Sequence, residues 1–314
     1  MGGSGGGNTF DIRMPSAPVP SVAELVDAEI TTKLSEAKRV KEVLGEFLTA
    51  QSGDFILAAL NAGQGDCCVM KLPDGKIVVV DCNVRSANVN LIGFLEKAGV
   101  KTIDLLILTH PDQDHVSGLP KLADAFKVTQ LLDGRFRKEG PDGERTPGYE
   151  EYRQAIEKLR ASGTDILNRT PTMRDELNLR NVNIEFLSPR APMLAQDANE
   201  ASLAFRVSFG ERSVLFGGDV TKERWEEIVA SKGTGLKSDV FWCSHHGADS
   251  GCCPPAIQSI SPDLSIVSVG ENSYGHPHSD AMDTLRQHSG DVRRTDEGTI
   301  SIMSRQGGEW KRIT

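Results

Sequence analysis

The sequence predicts an α+β fold in which a sandwich of β-sheets is covered by helices. Short apolar runs of strand length alternate with segments of helical periodicity, and this alternation occurs in two successive halves of the chain. Because a sheet or a helix must bury an apolar face against another element, this order of elements is typical of helices packed outside two sheets.

The first fifty residues are predicted to form a leader and one long helix. Residues 1–20 are rich in Gly, Ser and Pro, which is typical of a flexible leader. Apolar residues then recur at steps of three and four from Val22 to Phe47, which predicts an amphipathic helix over residues 21–50. This helix packs either on the remainder of the chain, 51–314, or on a partner or second copy through residues 21–49.

The first half of the domain is predicted to begin with a group of short strands: Ile56–Asn61, Cys67–Leu72 and Lys76–Asp81. Pro73-Asp74-Gly75 forms the hairpin turn between the last two. A helix is predicted from an N-cap at Ser86 to Gly99. The apolar run Ile103–Leu108 has the length of a buried strand and leads directly into His110.

The second half repeats this alternation of helices and strands. Helices are predicted near 118–126, at 149–161 and after Lys222. The predicted strands are Val128–Leu132, Ile184–Leu187, Leu203–Phe209, Ser213–Phe216, Val240–Cys243, Leu264–Val269 and Ile300–Met303.

Composition excludes several classes of protein. The chain of 314 residues contains no apolar run of about 20 residues, as a membrane span requires, and its N-terminus has no secretory pattern, so we expect a cytoplasmic protein. A net charge of −9 argues against tight, extended binding of duplex nucleic acid. The six cysteines have no CxxC spacing, which favours buried thiols, although Cys82 or Cys243 near the site is an alternative.

Four candidate metal ligands lie within the segment 109–115, immediately after the buried strand: His110, Asp112, Asp114 and His115. Imidazole nitrogen and carboxylate oxygen both suit zinc and manganese. A solvated loop is the alternative, but only seven histidines occur in the whole chain and two of them frame this cluster. The segment therefore predicts a site with room for two divalent metal ions.

Two further strands lead into candidate ligands. Gly217-Gly218-Asp219 follows an apolar strand, so Asp219 either bridges two metals or caps the helix that begins near Lys222. The strand at 240–243 leads into Ser244, His245 and His246. One histidine, for which we take His246, is predicted as a ligand, whereas His245 and Ser244 are predicted to contact substrate. His276, in a loop bounded by Gly275 and Pro277, also fits substrate contact.

These motifs, in this order, resemble the metallo-β-lactamase superfamily, and more finely the nuclease-like domain of ComEC-type DNA-uptake proteins. The similarity extends from about Phe55 to Met303 and includes further stretches: Asn61–Asp66, Val80-Asp81, Asn199–Leu203, Tyr274–Pro277 and Arg294–Gly298. It implies a four-layer αββα sandwich, here with an extra N-terminal helix. It also implies a catalytic Asp114 and places His276 over the substrate.

The sequence departs from the superfamily pattern at two positions. Asp112 stands where the second histidine is usual, and no histidine lies between His115 and His245 to supply the usual third ligand of the first metal. Asn199 or Ser202 stands near that position and is predicted to contact substrate. We therefore expect a weaker, more oxygen-rich first site that suits manganese better than zinc. The membrane channel of ComEC-type proteins has no counterpart in this sequence.

Three functions are compatible with these residues. The first is hydrolysis of a phosphodiester in DNA, RNA or a nucleotide by water that the metals activate. The second is hydrolysis of an ester, thioester or lactone at the same site, and the third is an idle member that binds a partner. Six cations form either a phosphate path or a solvated surface interleaved with acids: Arg135, Arg137, Lys138, Arg145, Arg153 and Arg160.

Overall fold

A computed structural model describes residues 22–85, 87–134, 145–167, 176–188 and 197–314. The helices are α1 (Val22–Thr49), α2 (Leu91–Lys97), α3 (Gln113–Val116), α4 (Leu119–Ala125), α5 (Pro147–Ala161), α6 (Lys222–Lys232), α7 (Pro254–Ile260) and α8 (Ser279–His288). The strands are β1 (Asp54–Ala59), β2 (Cys68–Lys71), β3 (Ile77–Val80), β4 (Thr102–Leu108), β5 (Lys127–Asp133), β6 (Asp165–Ile166), β7 (Glu176–Leu179), β8 (Val182–Ser188), β9 (Ala204–Phe209), β10 (Arg212–Phe216), β11 (Val240–Trp242), β12 (Leu264–Val267), β13 (Asp291–Arg294), β14 (Ile300–Arg305) and β15 (Trp310–Arg312).

The strands form two mixed sheets. The first has the order β15-β14-β1-β2-β3-β4-β5-β6, and the second has the order β13-β12-β11-β10-β9-β8-β7. Each sheet combines an antiparallel part with a parallel part: β3 to β6 are parallel in the first sheet, and β10 to β13 are parallel in the second. Both sheets therefore offer an edge at which the carboxyl ends of several strands meet.

Alternation along the strands divides the core into layers. In β1, Phe55 and Leu57 lie in an apolar cluster shared by the two sheets, whereas Ile56 and Ala58 face a cluster that includes α2, α4 and α5. A third cluster joins the other face of the second sheet to α6, α7 and α8. Successive strand residues point to opposite faces, so this pattern gives helix, sheet, sheet and helix in order. The predicted αββα sandwich is confirmed.

Helix α1 packs on this sandwich through its C-terminal half. Val43 and Phe47 are buried in the first cluster, and the ring of Phe47 meets Phe94 of α2 edge to face at 5.4 Å. The carboxylate of Glu36 accepts hydrogen bonds from the backbone N–H of Thr299 at 3.0 and 3.1 Å. The extra N-terminal helix is thus confirmed, and the partner contact through residues 21–49 stays a prediction.

The structure differs from the predicted elements mainly at short or polar segments. Ser86 lies outside the described residues, and α2 begins at Leu91 with Asn90 as its N-cap, the side chain of which accepts from the N–H of Gly93 at 3.3 Å. The edge strands β7 and β15 were not predicted, because their exposed and half-buried residues give no apolar run. No described helix is long and apolar enough to cross a membrane.

Candidate metal centre

The candidate site lies where parallel strands of both sheets end. In the first sheet, β3 leads into Asp81 and β4 leads into His110. In the second sheet, β10 leads into Asp219 and β11 leads into the turn that carries His245 and His246. Carboxyl ends of neighbouring parallel strands lie on one edge of a sheet, so the fold brings the predicted groups together from both sheets.

Asp219 lies in the centre of the cluster. Its carboxylate oxygens lie 3.3 Å from His115 Nε2, 3.6 Å from His110 Nε2 and 3.8 Å from His246 Nε2. All four side chains are buried. One carboxylate therefore faces three imidazoles.

Asp114 extends the cluster on one side, with its Oδ2 at 3.5 Å from His246 Nε2. Two groups of three therefore have ligand atoms within 4.8 Å of one another: His110, His115 and Asp219, and Asp114, His115 and His246. They share His115, the Nε2 of which can bind only one cation, so His115 completes one of the two groups at a time.

Unpartnered buried atoms test whether these residues fit a metal. His110 Nε2, His115 Nε2, His246 Nε2 and Asp219 Oδ1 are buried and have no hydrogen-bond partner among the described residues. Buried polar atoms are normally hydrogen-bonded, and each exception needs an explanation. Four such atoms that converge on one point, three of them imidazole nitrogens, fit divalent cations.

A buried aspartate fixes the orientation of His115. Asp81 Oδ2 lies 2.8 Å from His115 Nδ1, and the same carboxylate accepts hydrogen bonds from the backbone N–H and hydroxyl of Thr109 at 2.8 and 2.7 Å. A carboxylate on the far nitrogen of an imidazole sets its tautomer and makes it a stronger ligand. The spacing of the candidate ligands does not predict a role for Asp81. Its only signal in the sequence is its place in the Val80-Asp81 stretch that resembles the family.

His246 is oriented in the same way by two oxygens. Its Nδ1 lies 2.8 Å from the carbonyl oxygen of Ser268 and 3.4 Å from Asp66 Oδ1. Asp66 also lies 4.0 Å from His115 Nδ1. Asp66, Asp81 and His115 form a third group with ligand atoms within 4.8 Å, but this group uses the Nδ1 atom of His115 that Asp81 already engages.

His110 is surrounded by hydroxyl groups instead. Its Nδ1 lies 3.1 Å from Thr109 Oγ1 and 3.3 Å from Ser202 Oγ. Ser202 is wholly buried, and its hydroxyl also accepts a hydrogen bond from the N–H of Asp219 at 3.0 Å. Ser202 therefore positions two cluster residues, which differs from the predicted substrate contact. Asn199 is half-buried, and its carbonyl oxygen accepts from the N–H of Ser202 at 3.0 Å.

Charge within the cluster shifts several pKa values in the metal-free chain. Burial alone would lower the pKa of His115 and His246, but neighbouring carboxylates, above all Asp219, outweigh it: the pKa of His115 rises well above its usual value and that of His246 rises to about 10. Burial and the nearby His115 lower the pKa of His110. The imidazoles overcome the effect of burial on Asp219 and Asp114 and lower the pKa of both carboxyl groups.

Two glycines permit close approach of the loops that form the cluster. Gly218 has φ +51°, and a Cβ there would lie 2.5 Å from Ser202 Oγ and 2.6 Å from the carbonyl oxygen of Leu203. Gly65 has φ +129°, and a Cβ there would lie 2.1 Å from the carbonyl oxygen of Asp114. Only glycine combines a positive φ with the absence of a Cβ atom that would collide with these neighbours. This explains the glycines before Asp219 and Asp66.

The two histidines after β11 lie in a left-handed turn. His245 and His246 have φ of +50° and +54°, and Gly247 follows with φ +76°. Such backbone conformations are unfavourable for residues with a side chain. The turn directs His246 into the cluster, whereas His245 stays partly exposed, with Nε2 at 3.8 Å from Asp219 and Nδ1 at 2.9 Å from Ser250 Oγ.

The structure excludes the alternative cap role of Asp219 and places Asp112 and Ser244 differently from their predicted roles. Asp219 does not cap α6, because that helix begins at Lys222 with Thr221 as its N-cap. Asp112 is the N-cap of α3 and belongs to none of the three-residue ligand groups of the described chain. Ser244 is wholly buried and accepts a hydrogen bond from the indole of Trp225 at 2.8 Å, which differs from a substrate contact.

His276 lies beside the cluster on a separate loop. Its ring centroid is 5.5 Å from that of His245 and 6.5 Å from that of His246, and its buried Nδ1 has no partner among the described residues. Burial and these neighbouring histidines lower its pKa to about 4. The structure thus brings His276 to the partly exposed side of the cluster, next to His245.

The remaining candidates are the cations and the cysteines. Arg135, Arg137 and Lys138 are outside the described residues, while Arg145 and Arg160 pair with Glu150 and Glu157, each at 3.4 Å. The cysteines are free, and all are buried except Cys252, which is half-buried. Burial raises the pKa of Cys82 and Cys243, which favours inert thiols.

Comparisons with known proteins agree with this geometry. The family model of the metallo-beta-lactamase superfamily matches residues 60–285. The chain is 34% identical over 67% of its length to ComE operon protein 3 of Bacillus subtilis and 25% identical over 79% to competence protein ComA of Neisseria gonorrhoeae. These matches cover 26% and 32% of those relatives, so the chain spans about a third of their length or less.

A solved structure shares the fold. CmlA, a diiron β-hydroxylase from Streptomyces venezuelae, superposes with a TM-score of 0.50 and 16% identity over 82% of this chain and 55% of that one. At this identity the likeness shows the fold alone. The resemblance to ComEC-type proteins that the motifs predicted is confirmed by the competence relatives.

Proposed function

The chain belongs to the metallo-β-lactamase superfamily, and from this premise we propose that it is a metal-dependent phosphodiesterase or nuclease. Its proposed substrate is DNA, RNA or a nucleotide, and its proposed cofactors are two divalent ions, zinc or manganese. The observation that carries the proposal is the cluster around Asp219, in which three unpartnered imidazole nitrogens and two carboxylates converge from both sheets.

The residues of the cluster have distinct roles in this proposal. Asp219 belongs to one group of ligands and lies 3.8 Å from His246 Nε2 of the other, and Asp114, beside His246, would orient the attacking water. When bound, divalent metals lower the pKa of water toward about 7 and neutralise phosphate oxygens. Asp81 and Asp66 act behind the ligands, where they fix the imidazoles of His115 and His246.

His276 and His245 act on the substrate in this proposal. Both lie beside the buried ligands, and His245 is partly exposed. With a pKa of about 4, His276 is neutral at pH 7. A bound phosphodiester anion raises that pKa, because a neighbouring negative charge favours the imidazolium form. His276 then holds the proton that the leaving oxygen requires.

A substrate panel tests this function. Metal-stripped protein is resupplied with Mn²⁺, Zn²⁺ or Mg²⁺ and offered single- and double-stranded DNA, RNA, a chromogenic phosphodiester and a lactone. We expect phosphodiester cleavage in wild-type protein and none in Asp114→Asn, which changes charge with little change in volume. Turnover of the lactone alone would support the ester-hydrolase alternative, and unchanged cleavage by Asp114→Asn would reveal a contaminant.

His276→Ala separates the two chemistries. A phosphodiester needs its leaving oxygen protonated, so we expect this variant to keep its metal and to lose about 10²–10⁴-fold in turnover, the range of a lost general acid. A lactone can leave its alkoxide on a metal and should lose much less. Loss of metal from His276→Ala would make this residue a ligand instead, which elemental analysis detects.

A further inference from the structure

Tyr274 is an exposed aromatic side chain beside the candidate site. It is 68% exposed, and the other large apolar side chains with comparable exposure among the described residues, Ile30, Leu34 and Leu48, all lie on α1. An exposed tyrosine ring in a rigid position is typical of a surface that binds a planar group.

The loop that carries Tyr274 is held in place by one asparagine. Asn272 Oδ1 accepts hydrogen bonds from the N–H groups of Tyr274 and His276 at 3.0 and 3.1 Å. Its Nδ2 donates to the carbonyl oxygens of Gly270 and His276, both at 2.8 Å. The backbone on both sides of the ring is therefore fixed while the ring itself faces solvent.

The ring of Tyr274 also continues a line of aromatic side chains that leads out of the cluster. Its centroid lies 5.7 Å from that of His276, at an interplanar angle of 32°, and His276 lies 6.5 Å from His246 at the same angle. His276 is thus a ring neighbour of both Tyr274 and the candidate ligand His246.

We propose that Tyr274 is a stacking platform for an unpaired nucleobase next to the phosphate that is cleaved. The inference rests on the proposed phosphodiesterase function and deepens it, because it selects single-stranded or frayed nucleic acid as the substrate. Every base has a π-face, so stacking on an aromatic ring binds single strands without sequence preference. Within a duplex, both faces of a base are covered by its neighbours.

Charge around the loop supports stacking as the source of affinity. The segment 270–278 contains Glu271 and no lysine or arginine, and the whole chain carries a net charge of −9. Single-strand binding proteins usually combine stacking with a basic groove along the backbone. With no lysine or arginine on this loop, contacts to the base must supply a larger part of the binding energy.

The experiment compares two strands on the metal-loaded enzyme. One is a short single-stranded oligonucleotide, and the other has the same number of phosphates but abasic residues. Stacking of one base is worth about 1–3 kcal/mol, so we expect Tyr274→Ala to lower kcat/KM on the first strand by about 5- to 150-fold. Turnover of the abasic strand should not change, and Tyr274→Phe, which keeps the ring, should retain the wild-type value.

Leu48→Ala is the matched control, because it removes an apolar side chain of similar exposure, 62%, from helix α1. It should behave as wild type on both strands. Metal content and melting temperature should be the same in all variants, as expected for an exposed side chain that is not a metal ligand.

The outcomes separate this inference from the proposed function. If wild type cleaves both strands and Tyr274→Ala cleaves them equally well, the stacking role is overturned while the nuclease function stands. An equal loss on both strands, or a changed oligomeric state, also overturns it, since either assigns Tyr274 to the loop or to a protein contact. If wild type cleaves neither strand, the nuclease function fails, and fluorescence anisotropy with the intact strand decides: equal binding by wild type and Tyr274→Ala overturns the inference.

Discussion

The two sides of the metal cluster differ in what lies behind their imidazoles. His115 and His246 each present Nδ1 to a strong acceptor at 2.8 Å, a carboxylate oxygen of Asp81 and the carbonyl oxygen of Ser268. His110 has only hydroxyl groups at 3.1 and 3.3 Å. Carboxylates and carbonyls behind a histidine strengthen it as a ligand, so the difference indicates a strong side and a weak side.

The ligand groups show the same asymmetry. The strong side consists of Asp114, His115 and His246, with Asp219 next to them. The weak side consists of His110, His115 and Asp219, so His110 is the one imidazole that it does not share with the strong side, and Asp112 is not part of it. The sequence departs from the family pattern on the weak side of the site, which contains His110. The oxygen atoms that orient His115 and His246 on the strong side are present despite this departure.

The largest expected effect is the loss of metal from both sides of the cluster at once. Asp219→Ala should abolish hydrolysis and lower metal content to near zero, because its carboxylate faces both ligand groups. Elemental analysis of the purified variant measures this. A variant that retains one full equivalent would show that Asp219 serves only one side, and Asp239→Ala, at the start of β11, is a control for loss of a half-buried aspartate.

Removal of one histidine from each side tests the asymmetry directly. His246→Ala should lose the more tightly held metal, whereas His110→Ala should retain about one equivalent, because only hydroxyl groups support the imidazole of His110. Titration with Mn²⁺ or Zn²⁺ followed by calorimetry gives the stoichiometry and affinity of each variant. Equal losses in the two variants would contradict a strong and a weak side.

The residues behind the ligands should have smaller effects. Asp81→Asn removes the charge behind His115 with little change in volume, and we expect metal affinity to fall by about 10–100-fold. Ser202→Ala removes a neutral hydroxyl behind His110 and should cost less. Competition with a chelator measures both, and an equal or larger loss in Ser202→Ala would reverse the assignment.

The last expected effect concerns the stability of the metal-free protein toward base rather than metal binding. The folded pKa of His246 is raised to about 10, and the value in an unfolded chain is about 6.5. The stabilisation is therefore fully present below about pH 6.5 and is lost as pH rises toward 10. His110 and His276, with lowered pKa values, are already neutral at pH 7 and do not oppose this trend.

Urea unfolding of metal-free protein between pH 7 and 10 tests this prediction. The free energy of unfolding should decrease over this range, and the decrease should be smaller in His246→Gln, which lacks the titrating group. A wild-type protein with the same slope as His246→Gln would show that His246 is not protonated at neutral pH.

Much of the fold and part of the site follow from local sequence patterns. Runs such as Ile103–Leu108 and Ser213–Phe216 are apolar because their strands, β4 and β10, are buried, so periodicity located them to within one or two residues. The candidate ligands His110 and Asp219 lie within three residues of the ends of such strands, and the candidate His115 lies in the short helix α3 that follows β4. A reactive residue type at the end of a buried strand is a signal that one segment of sequence carries by itself.

The supporting contacts could not be predicted in this way, because they join distant segments. Asp81 meets His115 across 34 positions, and Ser202 meets His110 across 92. A serine such as Ser244 gives no periodic signal, and only the packing of α6 against the turn after β11 brings Trp225 to its hydroxyl. The choice between His245 and His246 likewise depends on a left-handed turn that spacing does not reveal.

The division of the ligands between the two sheets has a consequence for folding kinetics. Residues 81–115 belong to one sheet and residues 219–246 to the other, so a cation can reach its full set of ligands only after the sheets have docked. Contacts that form late in folding change the unfolding rate rather than the folding rate. We therefore expect bound metal to lengthen the lifetime of the native state while refolding proceeds at the pace of the metal-free chain.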